Sequence, residues 1–126
     1  MKKLLLMCCL VVAAGTMAFG QVTPVSKPLF FSKVNQLNTY LQQNNVGGAN
    51  VVWNEINQMM KTELSNIKYL AKTALQVNNT PQATQMKQLA TQQWGLYTGV
   101  ARLHNNMVPN QGTINSKLNQ FGNAIQ

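Results

Sequence analysis

Two long apolar stripes separated by one tight break constrain this chain more than any other feature. Trp53, Ile56, Met60, Ile67, Leu70, Ala74 and Val77 recur at alternating steps of three and four, with Glu63 as the one interruption. That rhythm places them on one face of a helix of about 51–77. Asn78-Asn79 stops the pattern, and Thr80-Pro81 restarts it with a capping hydroxyl and a proline at the first helical position. Beyond the break, Leu89, Leu96 and Leu103 are spaced by sevens, as are Met86, Gln93, Val100 and Met107. This second stripe predicts a helix of about 81–107 with a coiled-coil-like seam. A short connection folds consecutive helices antiparallel, so the two form a long central hairpin.

Shorter stripes flank it. Phe30, Val34, Leu37 and Leu41 predict a helix of about 27–43, with Ser26 as its cap and Gly47-Gly48 in the stretch that ends it. Asn50 is the expected cap of the second helix. Ile114, Leu118, Phe121 and Ile125 predict a fourth helix of about 114–125, after the turn Val108 to Gly112. The expected fold is all-α: a small antiparallel bundle of four helices around the hairpin. Asparagine and glutamine are abundant, 16 and 14 after residue 20. Such a bias often marks disorder, but the apolar periodicity is too regular for that reading.

The first twenty residues read as a cleavable secretory signal rather than fold. Met1-Lys2-Lys3 is basic, Leu4 to Ala14 is an apolar run of eleven, and Ala18-Phe19-Gly20 offers small residues to a signal peptidase. The run is too short to span a bilayer. Cleavage after Gly20 leaves residues 21–126 as a single helical domain, secreted or periplasmic. It also removes Cys8 and Cys9, so no disulfide is available. Eight cationic side chains then face two acids, a net charge of +6.

The remaining inventory excludes most chemistry. The chain has no Asp, one His and two Glu. Zinc and calcium sites lack ligands, and nucleophilic triads lack members. Glu55 and Glu63 on one helix are about 12 Å apart along its axis, too far for a glycosidase pair. The expectation is a non-catalytic protein without cofactors. His104 lies level with Glu55, as a packed neutral ring or half of a pH-sensitive pair. Glu63 is read as a flank position bonded to Gln93 or a backbone group, or as a buried acid that fixes register.

Length arithmetic supplies the functional expectation. The outer helices both fold back over one end of the hairpin, leaving its far end uncovered. Ile67, Leu70, Leu75, Met86 and Leu89 on that overhang, with Trp94, are the expected partner-binding residues, for another protein or a second copy. The lead Gln21 to Ser26 could instead cover the overhang. The leading expectation is an interaction or structural subunit of the cell envelope, or of a surface or secretion assembly. The alternative is a basic envelope-binding protein that meets anionic lipid or cell-wall polymer through Lys61, Lys68, Lys72 and Lys87. Nucleic acid is not expected as a partner, since no basic groove is interleaved with aromatics.

Overall fold

The computed structural model describes residues 22–126. The signal-peptide reading of residues 1–20 lies outside the described residues. Four α-helices follow in order: α1 (Lys27–Gln42), α2 (Val46–Gln76), α3 (Thr80–Ala101) and α4 (Gln111–Asn123). Two 3-10 turns, His104–Asn106 and Val108–Asn110, join α3 to α4. No strand occurs among the described residues. The fold is the expected small antiparallel bundle, with the 31-residue α2 and the 22-residue α3 packed together as its long pair.

Both short hairpin turns use one device. In each, an asparagine doublet follows the last helical turn. The first member takes the left-handed conformation, with φ 56° at Asn44 and 58° at Asn78. The second returns its backbone N–H to a carbonyl five residues back, Asn45 to Tyr40 and Asn79 to Ala74, both at 2.8 Å. That is the Schellman closure, with Asn in the place glycine usually takes. The same second asparagine then caps the next helix: Asn45 Oδ1 accepts from Gly48 N–H and Asn79 Oδ1 from Gln82 N–H.

This device moves two expected boundaries. Helix α2 starts at Val46, five residues before the expected 51, because Asn45 rather than Asn50 is its cap. Gly47 and Gly48 lie inside its first turns, not in a helix stop. A Cβ on Gly48 would sit 2.7 Å from the ring of Tyr40. The glycine therefore permits close approach of α1. Likewise Asn79, not Thr80, caps α3. Helix α3 ends at Ala101 rather than 107, although Met107 stays buried. The heptad spacing runs on past the helix end because the 3-10 turns still direct Met107 inward. Helix α4 begins at Gln111 and closes at Asn123, a few residues ahead of the expected 114–125.

The main core is built from α1, α4 and the near halves of α2 and α3. Phe30 stacks on Phe121 at 5.6 Å, surrounded by Leu37, Leu41, Ile56, Met60, Ile114 and Leu118. Close approach of α4 to α1 depends on Gly122, where a Cβ would meet Phe31 at 2.7 Å. The far part of the hairpin has a separate cluster of Ile67, Leu70, Ala71 and Met86, with Leu89 and Ala90 against it. The hairpin does outrun α1 and α4, but it closes its inner flank on itself.

Candidate functional site

The expected partner-binding set divides on burial. Ile67, Leu70 and Met86 are buried and Leu89 is half-buried, all within the hairpin cluster. The two helices approach closely enough to satisfy each other, so the flank formed by these four is packed within the hairpin rather than left open. The lead peptide contributes at the junction of the two cores. Thr23 N–H donates to Asn66 Oδ1 (3.1 Å), and Asn66 Nδ2 donates to Thr23 O (2.6 Å). The remaining two residues do face solvent, Leu75 at 47% and Trp94 at 54% exposure. Trp94 lies against Tyr97, with ring centroids 5.6 Å apart.

All four expected anion-binding residues, Lys61, Lys68, Lys72 and Lys87, are exposed. Their placement follows a regularity. Each comes directly after a buried residue of the hairpin: Met60 then Lys61, Ile67 then Lys68, Ala71 then Lys72, Met86 then Lys87. The two exposed apolar residues obey the same rule, Leu75 after Ala74 and Trp94 after Gln93. At about 100° per residue, one step from the seam turns a side chain to the flank. In an antiparallel pair the same step on each helix turns toward the same side of the pair. Lys61, Lys68, Lys72 and Leu75 on α2 therefore share one outer face with Lys87 and Trp94 on α3.

Two contacts identify the other side of the hairpin as the covered one. Asn66, which holds the lead, lies about 120° or more around α2 from each of the three lysines. Gly99 of α3 faces the Lys117 side chain of α4, whose Cδ would lie 3.1 Å from an added Cβ. It is turned about 120° or more from Lys87 and Trp94. The lead and α4 thus sit behind the hairpin, and the lysine face lies in front. Gly95, four residues before Gly99 on α3, has open space beside it.

No carboxylate side chain neutralises this face. The chain has two, and both are engaged elsewhere. Glu55 Oε2 pairs with Lys33 Nζ at 3.0 Å. Glu63 is buried, and its Oε2 accepts from the backbone N–H of Gln126 at 2.9 Å. Burial pushes the Glu63 carboxyl above its ordinary range, partly offset by the hydrogen bond from Gln126. Of the two partners expected for Glu63, the backbone group is the one found; Gln93 Nε2 instead donates to Phe121 O at 2.9 Å, a cross-helix bond to α4.

His104 does not pair with Glu55. It stacks on Trp53, ring centroids 5.9 Å apart, while Lys33 holds the acid. The ring borders a cavity of about 220 Å³ at the end of the bundle away from the hairpin tip, beside Asn44, Asn105 and Asn106. Among the described residues no three of His, Cys, Asp and Glu come together, and no helix is long and apolar enough to cross a membrane.

The fold and face together define an all-α bundle that carries a basic, tryptophan-bearing hairpin. No protein-family model, curated protein or solved structure matches the chain.

Proposed function

We propose that this chain is an exported, non-catalytic binding protein whose α2–α3 hairpin contacts an anionic envelope surface, lipid or polymer. One observation carries the reading: four lysines share the uncovered face of the hairpin, and both acids of the chain are engaged elsewhere. A face of this kind holds an unbalanced positive field, which attracts polyanions and is screened by salt. The inner apolar flank, the other basis for docking, is already closed by the hairpin itself. Docking therefore falls to the outer face.

The test is binding of residues 21–126 to two probes, phosphatidylglycerol-containing vesicles and soluble long-chain polyphosphate, across a salt series. Each lysine near an anionic surface contributes about 1 kcal/mol. The combined substitution Lys61→Gln, Lys68→Gln, Lys72→Gln should weaken binding by about a hundredfold at low salt. Circular dichroism should be unchanged, since all three side chains are exposed. Binding that ignores both salt and the triple substitution would overturn the proposal.

A further inference from the structure

Resting on that reading, we infer that the surface met by the lysine face is a lipid bilayer with anionic head groups, and that Trp94 and Leu75 are its apolar anchors. Lysines alone do not separate a lipid surface from a dissolved polyanion, because both offer only negative charge. The two exposed apolar residues on this face, Leu75 and Trp94, do. They obey the same one-step-from-the-seam rule as the lysines, so they face the same way. Leu75 continues the line of Lys61, Lys68 and Lys72 toward the hairpin turn, where Val77 is also exposed, at 57%. Trp94 continues the line of Lys87 back toward the bundle, seven residues or about 10 Å along α3. With α2 and α3 antiparallel and Met86 packed beside Leu70 and Ala71, Trp94 lies level with the stretch between Lys61 and Lys68, and Leu75 lies nearest the turn, so the face sets apolar side chains among its lysines.

That arrangement matches the layers of a membrane interface. Ammonium groups meet phosphates, while an indole and an alkyl group reach the acyl boundary beneath them. The polymer alternative leaves Trp94 and Leu75 in water with nothing to bury them. A second copy of the chain fits worse, since pairing the face with itself sets four unneutralised lysines against four more. The bundle would lie with its hairpin flat on the bilayer, since the α2 stripe from Lys61 to Leu75 runs about 20 Å along the helix. None of its helices among the described residues would need to span the membrane.

Tryptophan emission and paired variants provide the test. Trp94 is exposed and Trp53 is buried against His104, so Trp94 supplies the solvent-sensitive part of the signal. Phosphatidylglycerol-containing vesicles should shift the emission to the blue, whereas polyphosphate and pure phosphatidylcholine vesicles should not. Trp94→Ser with Leu75→Ser should weaken vesicle binding by about tenfold or more. The same pair should leave polyphosphate binding within about twofold, because every lysine remains. Unchanged vesicle binding by this double variant, with the lysine triple still defective, would overturn the bilayer anchors and leave the anionic-surface reading standing. An emission shift with polyphosphate as large as with vesicles would do the same. Binding of neither probe by the unaltered protein would overturn both.

Discussion

Replacing Gln93 by methionine should stabilise the protein, and the structure supplies each part of the reasoning. Gln93 is fully buried between α3 and α4. Its Nε2 donates to Phe121 O at 2.9 Å, while its Oε1, also buried, has no hydrogen-bond partner among the described residues. Phe121 O does not depend on that donor, since it also accepts from Ala124 N–H at 3.2 Å. The substitution therefore removes one neutral hydrogen bond, a loss of about 1 kcal/mol, without stranding the carbonyl. It also removes a buried amide oxygen that gave up water for no partner, a relief of about 1–3 kcal/mol. Methionine is unbranched and close in volume, so the surrounding side chains need little adjustment. The net expectation is a gain of about 1 kcal/mol at pH 7. Urea unfolding should show a raised midpoint with an unchanged slope, and thermal unfolding a Tm about 4 °C higher or more. A loss of more than about 1 kcal/mol would refute the reasoning. It would mean that Oε1 has a partner of its own, such as a bound water or an acid proton.

Glu63→Gln should remove a pH dependence. Because burial raises the Glu63 carboxyl, the folded state binds its proton more tightly than the unfolded chain does. The contribution to stability is fully present below the ordinary value of 4.5 and is lost as pH rises through the folded-state value. Glutamine can still accept from Gln126 N–H, so the variant should exceed the parent in stability at pH 7. The difference should close as pH falls below 4.5, measured by urea midpoints across pH; a widening gap toward acid would contradict it. Ile67→Ala should cost about 2–5 kcal/mol, because the side chain is fully buried in the hairpin cluster. Leu75→Ser, on the exposed outer face, should stay within about 0.5 kcal/mol. Equal effects in thermal unfolding would mean that the inner flank is not the packed interior described above.

The apolar rhythm made the helices and the hairpin legible because burial in a helix leaves a three–four spacing behind. It was less informative about closure. Uneven helix lengths implied an uncovered end, yet a stripe of Ile67, Leu70 and Met86 reads identically whether a partner or the neighbouring helix buries it. Only the separation of α2 and α3 decides, and that is tertiary. The turns depart from the expectation for a different reason. Gly47-Gly48 carried the usual sign of a left-handed stop, but Asn44 holds that conformation and Gly48 makes room for Tyr40. Two asparagines in a row, present at both breaks, were the better signal. The shared lysine face was written in the sequence too: each lysine follows a seam residue. The three on α2 were visible as a stripe, but placing Lys87 and Trp94 beside them required the antiparallel pairing and the side taken by α4.

The scarcity of acids also separates the forces that fold this chain from those available for binding. A carboxylate in the first turn and Glu–Lys pairs along the flank stabilise a soluble helix. None of the four helices here has an acidic first turn. Uncharged groups fill the structural roles instead. Ser26, Asn45 and Asn79 cap helices, Asn44 and Asn78 take the left-handed turns, and Asn66 holds the lead. Asn38 Nδ2 donates to Asn115 Oδ1 at 2.6 Å between α1 and α4, where an ion pair would be ordinary. Folding held by amides and apolar packing depends little on ionic strength, whereas an unpaired lysine face depends on it strongly. On the proposed reading, such a chain would keep its shape while its hold on a charged surface is tuned by salt. A compensating acid beside Lys68 or Lys72 would add little to stability as an exposed pair, and it would cancel the field that the face presents.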